Sequence, residues 1–321
     1  MAGVDFALNG IPLDSTYCRV TQGSTLFAGV SVSRNKVSAP FRHGTVPDGM
    51  PPSFEERSVT LKVSAFGHDG FHLDSARLAR LCMAPMPVLS RTVNGVTQQA
   101  VVELASLEAD DGGTVLDRLI PFTAVFAMPG VWWRDTTTYD RPLAANTTAI
   151  LWPASKRWTQ SYWTRWEGAA NNSASLLADF TTMWMGEANN SPSLLIPLAD
   201  GIQDGMFGDA PLTDLVIRCP KGVTSVTVTD PVTGSGVIWT GKADATRYTY
   251  LDCGNATAWQ TDDDHQWTGP DGFVDVTGGL DYPAAGMLQC WPAPTDNSYK
   301  LTTKLTGSTD GLLAHCRRAW W

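Results

Sequence analysis

Alternating apolar and polar residues along the chain predict a mainly β protein. The clearest run is Ser58–Ala65, in which Val59, Leu61 and Val63 would face one side of a strand and polar residues the other. The same pattern predicts other N-terminal strands in four ranges: Asp5–Leu13 around an Asn9-Gly10 turn, Thr25–Ser33, Ala100–Leu107 and Thr114–Ala127. One short helix is expected at Leu73–Cys82, because Leu78, Leu81 and Cys82 share a face and Pro85 follows.

Short apolar runs recur through the second half of the sequence. They occupy eight ranges: Asp214–Arg218, Thr224–Thr229, Val237–Thr240, Arg247–Leu251, Gly272–Val276, Met287–Trp291, Leu301–Thr306 and Leu312–Ala319. Strands this short and closely spaced favour a β-sandwich or jelly roll over a parallel sheet. The final pair Trp320-Trp321 predicts a last strand that is paired into a sheet with its rings packed, because disordered ends favour small polar residues.

A long segment rich in proline and glycine, residues 34–58, interrupts the N-terminal strands. It is too long for an ordinary hairpin loop, and such segments are typically functional or ordered by contact with a neighbour. We therefore treat it as an extended arm. Its candidate interface residues are Pro40, Phe41, Arg42, Pro47, Asp48, Gly49, Pro51, Pro52 and Phe54.

The distribution of tryptophan predicts two domains. All 13 tryptophans lie at or after Trp132. Residues 1–131 carry 10 Lys/Arg against 12 Asp/Glu, whereas residues 132–321 carry 13 against 20, which together give the net charge of −9. The predicted domains are residues 1–131, which contain the arm, and residues 132–321, which are rich in tryptophan.

Composition narrows the classes of function. The acidic balance and the absence of Lys/Arg clusters argue against sequence-specific recognition of nucleic acid. The longest apolar stretches are too short to insert into a membrane, and no signal peptide is expected. The six cysteines are widely spaced, form no Cys-x-x-Cys pair and are expected to be buried free thiols, so no metal or other cofactor is predicted.

No pattern indicates catalysis. The sequence lacks a serine nucleophile elbow, a zinc-protease helix and a phosphate loop, so we do not expect an enzyme. The acidic run 262–264, followed by His265, has the chemistry of a calcium or acid–base site, but it lacks the ligand spacing of a calcium loop and is better interpreted as a solvated loop.

An aromatic group between residues 158 and 166 has two interpretations. Its members are Trp158, Tyr162, Trp163 and Trp166, interleaved with Lys156, Arg157 and Arg165. These rings could stack on a glycan or contact a partner subunit, and they could equally belong to a core that uses tryptophan.

In the order of its elements the chain resembles the distal tail proteins of siphovirus-type bacteriophages, the minor tail proteins of actinobacterial phages. The resemblance rests on five segments, together with the helix Leu73–Cys82 and the hairpin after it: Phe6–Ile11, Val46–Gly49 within the arm, Phe54–Leu61, Pro129–Asp135 and Arg317–Trp321. As an order of elements the resemblance covers essentially the whole chain, although each motif is short.

The resemblance implies a structural role at the tail tip. The N-terminal domain, a β-sandwich or split-barrel-like unit, would form a homo-hexameric ring with an arm that embraces the next subunit. The C-terminal domain would be a galectin-like β-sandwich. Implied partners are the tail tube protein, the tail-tip hub or tail-associated protein and the tape measure protein, in a virion assembled in the host cytoplasm. The alternative hypothesis is a carbohydrate-binding module that recognises cell-wall glycans.

Overall fold

The computed structural model describes residues 4–15, 18–25, 29–33, 43, 51–66, 73–93, 95–109, 119–153, 165–167, 175–178, 182–185, 193–195, 208–269 and 272–321. Within them the N-terminal half contains β1 (Asp5–Leu8), β2 (Ile11–Pro12), β3 (Cys18–Val20), β4 (Val32–Ser33), β5 (Ser53–Phe54), β6 (Arg57–Phe66), α1 (Leu73–Cys82), β7 (Val88–Val93), β8 (Val96–Val101), β9 (Glu103–Ala109) and β10 (Leu119–Met128).

The remaining strands follow from residue 133. They are β11 (Trp133–Asp135), β12 (Tyr139–Leu143), β13 (Thr148–Trp152), β14 (Arg165–Glu167), β15 (Ser175–Ala178), β16 (Thr182–Met185), β17 (Ser193–Leu195), β18 (Val216–Cys219), β19 (Ser225–Thr229), β20 (Gly236–Thr240), β21 (Tyr248–Asp252), β22 (Thr257–Thr261), β23 (Val274–Asp275), β24 (Leu280–Asp281), β25 (Tyr299–Thr306), β26 (Leu312–Cys316) and β27 (Ala319–Trp320). A short 3₁₀ turn spans Thr277–Gly279. The prediction of a mainly β fold is confirmed.

Two antiparallel sheets and α1 enclose the first hydrophobic core. One sheet has the order β2-β1-β7-β8-β11-β27 and the other β3-β6-β10-β9. The helix has the predicted bounds, and its buried residues Leu78 and Cys82 join this core. The hairpin at Asn9-Gly10 is also confirmed, with both residues at positive φ of 51° and 76°.

Two larger sheets form a sandwich around the second core. Their orders are β12-β26-β18-β21-β22-β23 and β13-β25-β19-β20-β24. Alternate residues point inward, as in β19, where Val226 and Val228 have 0% exposure. The predicted strand at Met287–Trp291 is wrong, since Met287 and Cys290 form only isolated bridges there. A further sheet of backbone order β14-β15-β16-β17 lies between residues 165 and 195.

The first sheet also contains strands from beyond residue 131. In β11, Trp133 pairs with Trp320 of β27, and Arg134 pairs with Ala319. The expectation that Trp320 is paired and packed is thus confirmed, and its ring is 7% exposed. The division of the chain between residues 131 and 132 remains a prediction. The chain passes from the first sheet into the second sandwich after β11 and returns to the first sheet at β27.

The six cysteines all lie among the described residues and are free thiols. Five are buried, as predicted, and burial raises the pKa of Cys82 to about 11. Cys18 is the exception, because β3 lies at the edge of its sheet and leaves this thiol half-buried.

Candidate assembly site at the junction of the two cores

Trp132, just before β11, and Trp133, the first residue of β11, enter different hydrophobic cores. Trp133 belongs to the first core and Trp132 to the second. The other end of the sequence mirrors this division: Trp320 packs in the first core and Trp321 against the second. Successive side chains of an extended strand point to opposite faces, so two Trp-Trp pairs side by side connect both cores. We call this region, residues 131–135, 208–214 and 317–321, the junction.

The base of the arm packs on the junction. Phe54 makes edge contacts with Trp132 and Trp321, with ring centroids 5.0 Å and 6.0 Å apart, and a tilted contact with Trp291 at 6.0 Å. The rings of Trp132 and Trp321 themselves meet edge to face at 4.5 Å. These geometries are the favoured ones for aromatic pairs. Phe54 therefore anchors the C-terminal base of the arm in an aromatic cluster.

A two-stranded ladder closes the base of the arm. β4 pairs with β5, in the register Val32 to Phe54 and Ser33 to Ser53. The amide of Glu55 donates to the carbonyl of Ser31 at 3.0 Å. The strands that flank residues 34–50 are consequently held side by side.

Buried arginines fix the main chain of the junction. Arg91 is 2% exposed, and its guanidinium lies 4.4 Å from the centre of the Trp133 ring. It donates to Gln98 at 2.7 Å and to the main-chain oxygen of Trp321 at 2.6 Å. Burial, followed by the charge of Arg57, lowers the pKa of Arg91 to about 10, so it stays protonated at neutral pH. A planar guanidinium can stack and donate at the same time, which an ammonium cannot do.

Carboxylates provide the opposite charges. Asp214 lies 2.8 Å from Arg317 and 3.4 Å from Arg134 in two ion pairs. Asp135, 3% exposed, is paired with Arg318. Burial is the main cause that lowers the pKa of Arg134, and the Asp214 charge opposes it. The junction thus carries structural charge pairs, and each of these acids faces an arginine rather than a nucleophile or a metal.

The segment 208–210 clasps β27 from the other side. The amides of Asp209 and Ala210 both donate to the carbonyl of Ala319, at 2.9 Å and 3.2 Å. Trp321 returns two bonds to Asp209, from its amide at 2.9 Å and from its indole N–H at 2.8 Å. Four hydrogen bonds therefore link this segment to the end of the chain at residues 319–321.

The predicted site residues are only partly within the described residues. Pro51 and Phe54 are half-buried and Pro52 is exposed, beside the junction. Six arm residues lie outside the described residues: Pro40, Phe41, Arg42, Pro47, Asp48 and Gly49. The interface role of the nine stays a prediction.

The predicted aromatic group at residues 158–166 is likewise untested. Trp158, Tyr162 and Trp163 lie outside the described residues, and the backbone of Trp166 pairs with Leu176 in β14 and β15. The acidic run 262–264 is exposed, and Oδ1 of Asp264 lies 2.8 Å from Nδ1 of His265. In the described part of the chain no three His, Cys, Asp or Glu side chains are grouped to hold a metal ion, and no described helix is long and apolar enough to span a membrane.

Sequence reasoning missed most of the junction. Arg57 and Arg91 are single polar residues whose burial no local pattern signals. The available signal was the pair of Trp-Trp dipeptides, because two bulky rings in successive strand positions cannot both be buried in one core.

Comparison with solved structures places the whole chain in one known architecture. It matches the Dit protein of phage SPP1, described as a hub of the adsorption apparatus in phages that infect Gram-positive bacteria, with a TM-score of 0.52 and 13% identity over 99% of this chain and 100% of that one. Chains of the phage P2 baseplate, in its activated conformation with Ca and with Sr, are similar at a TM-score of 0.41 and 10% identity, each over 98% of its own length.

Sequence comparison adds no relative to this structural likeness. No protein-family model matches the chain, and no curated protein matches it. At 13% identity the likeness to the Dit protein concerns the fold, which this chain shares from end to end.

Proposed function

We propose that this protein is a structural component of a phage tail tip or baseplate, a distal tail hub whose copies form a ring between the tail tube and the adsorption apparatus. The observation that carries the proposal is the end-to-end likeness to the SPP1 Dit hub, which extends over both cores. Because a fold alone does not fix a function, the proposal also needs a feature of this chain.

The anchored arm is that feature. The residues that flank segment 34–50 are paired in the β4–β5 ladder, and Phe54 packs on the junction. This segment contains three basic residues against one acidic residue, in a chain whose net charge is −9. A basic, proline-rich segment that starts from a rigid base can wrap an acidic neighbour with little loss of conformational freedom. The proposed assembly is a homo-hexamer in the virion, with the tube, tail-tip hub and tape measure proteins as further partners.

Replacing Pro40, Phe41 and Arg42 by Gly-Ser-Gly tests the role of the arm. The unchanged protein is expected to give the mass of a hexamer by light scattering and ring-shaped particles by negative-stain microscopy. The variant should elute as a monomer with unchanged circular dichroism, because the arm root is untouched. The control variant Lys242→Gly with Ala243→Ser changes an exposed turn of the second sandwich and should leave the mass at six chains.

Two results would contradict the proposal. One is a wild-type protein that stays monomeric at high concentration and also fails to bind purified tail tubes. The other is a ring that forms equally well without the three arm residues. That result would show that the arm does not hold the ring together, although the ring itself would stand.

Recognition of cell-wall glycans through Trp158, Tyr162, Trp163 and Trp166 remains the alternative from the sequence. No contact in the described residues favours that aromatic group, so the hub is the function that we propose. This alternative concerns only the aromatic group and not the rest of the second sandwich.

A further inference from the structure

The outer face of the second sandwich has unusual chemistry at β21–β23. Their register places five side chains on one face: Tyr250, Asp252, Thr257, Trp259 and Asp275. The alternating residues Leu251 and Ala258 belong to the second core, so the five side chains lie on the face turned away from it. Tyr250 and Trp259 are buried here in a small cluster with Val216, against which Trp267 packs, and Asp275 pairs with Trp259 beside it.

A cavity of about 300 Å³ opens on this face. The residues that line it include Asp252, Asn255, Thr257, Trp259, Phe273 and Asp275. Phe273 stands at the rim with 40% exposure, and its ring lies 6.4 Å from that of Trp259. The volume is at the lower end for small-molecule sites and suits one or two sugar rings.

The turn after β21 fixes the first carboxylate. Oδ1 of Asp252 accepts from the amides of Gly254 and Asn255, both at 2.9 Å, and Oδ2 accepts from the Asn255 side chain at 2.8 Å. A carboxylate has about four acceptor positions, so Asp252 can accept a further hydrogen bond. Its orientation is already determined before any ligand arrives, which lowers the cost of binding.

The second carboxylate lies opposite Trp259 on β23. Oδ1 of Asp275 accepts from the amide of Thr277 at 2.9 Å, and hydrogen bonds from Thr277 lower the pKa of Asp275. Asp275 is therefore ionised at neutral pH and acts only as an acceptor. Neither Asp252 nor Asp275 forms an ion pair with any described residue, whereas Asp135 and Asp214 of the junction both do.

Trp259 adds a donor that lacks an acceptor. Its side chain is 3% exposed, and its indole Nε1 is buried with no hydrogen-bond partner among the described residues. Leaving such a donor unpaired is costly. Trp259 also lines the cavity.

We propose that this cavity binds a saccharide. Vicinal hydroxyl groups would donate to Asp252 and Asp275, and the apolar face of the sugar ring would pack on Phe273. A sugar fits because it presents donors and an apolar face together, whereas the described residues offer a metal ion no third acidic ligand. This site is independent of the tail-tip role and differs from the aromatic group at residues 158–166.

Saturation-transfer NMR with the full chain tests the site. The probes are the methyl glycosides of glucose, galactose, mannose, rhamnose and N-acetylglucosamine. At least one of these glycosides should receive saturation from the protein, and its binding should shift the tryptophan fluorescence of the protein. Phe273→Ala and Asp275→Asn should each weaken the affinity for that glycoside by at least about tenfold, the factor that corresponds to 1.4 kcal/mol.

A neighbouring residue provides the matched control. Val274 lies between Phe273 and Asp275 in the sequence, is 38% exposed and does not line the cavity, so Val274→Ala should bind as the wild type does. Circular dichroism of each variant checks folding. The proposal is overturned if no methyl glycoside binds, or if binding survives both Phe273→Ala and Asp275→Asn. A ring that assembles normally while binding is absent would leave the hub role intact.

Discussion

The carboxylate of Asp230 occupies a tight turn and has 0% exposure. Oδ2 accepts from the amide of Thr233 at 2.9 Å and from its hydroxyl at 2.7 Å, whereas Oδ1 has no hydrogen-bond partner among the described residues. Burial raises the pKa of Asp230, and the bonds from Thr233 only partly oppose it. The folded protein thus binds this proton more readily than the unfolded chain, so the wild type loses stability as pH rises through the raised pKa.

Replacing this group by a neutral one should stabilise the protein at neutral pH. Asp230→Asn keeps an acceptor for Thr233 and removes the buried charge, so its free energy of unfolding at pH 7 should exceed that of the wild type. The advantage should shrink as pH falls through the raised pKa towards about 3.9, the ordinary value for aspartate. Urea unfolding at several pH values measures this difference in the free energy of unfolding between the variant and the wild type.

Asp296→Asn is the control with the opposite sign. This aspartate also caps a turn, accepting from the amide and hydroxyl of Ser298 at 2.9 Å and 2.6 Å, and these bonds lower its pKa. Its replacement should cost stability at neutral pH, and the cost should disappear as pH falls through the lowered pKa. Shifts of the same sign in both variants would refute the assignment of burial as the cause at Asp230.

At the scale of elements, β27 depends on a glycine across from it. Gly208 has a φ of 89°, bridges to Ala319 in parallel, and has no space for a Cβ atom beside the Ala319 carbonyl. Gly10 also has a positive φ, 76°, but open space around it. Both positions carry the backbone strain of a left-handed residue, about 1–2 kcal/mol for alanine. Only Gly208 adds a steric clash.

Gly208→Ala should therefore destabilise the protein more than Gly10→Ala does. This larger loss of stability should be accompanied by faster amide hydrogen exchange in β11 and β27. The reason is that the clash displaces the main chain of Ala319 in β27, which pairs with Arg134 of β11. Urea unfolding gives the first quantity and exchange mass spectrometry the second. Equal losses with unchanged exchange in β27 would show that the clasp does not hold this strand.

Local patterns predicted some elements well because their cause is local. The helix Leu73–Cys82 and the strand around Ser58–Ala65 were identified from periodicity alone. The run Ala100–Leu107 misled, since it contains the end of β8 and most of β9, which belong to different sheets. Alternation continues across Val102, so no residue there signals the change of sheet.

For the candidate sites, the decisive partners are far apart in the sequence. Phe54 was a candidate from the arm, but its contact with Trp321 spans most of the chain. The cavity beside Asp275 requires the register of three strands, of which β22 follows a turn that alternation did not reveal. Long-range pairing of this kind is set by the global fold rather than by propensity.

For the whole molecule, the ion pairs of Asp214 join the two cores. This carboxylate precedes β18 of the second sandwich, while Arg134 lies in β11 of the first sheet and Arg317 leads into β27. Both cores also share the Trp-Trp pairs, so the molecule should unfold in one calorimetric transition.

Removing the Asp214 charge should weaken that coupling. In Asp214→Ala the buried Arg134 guanidinium loses its counter-charge, and we expect a loss of about 2 kcal/mol, below the usual value for fully buried pairs because the Asp214 side chain is 24% exposed. Calorimetry should show a lower first midpoint and two resolved transitions, one for each core. Asp310→Ala, a change at an exposed turn, should retain the single transition. If Asp214→Ala also unfolds in one step at the wild-type midpoint, the aromatic contacts alone hold the two cores together.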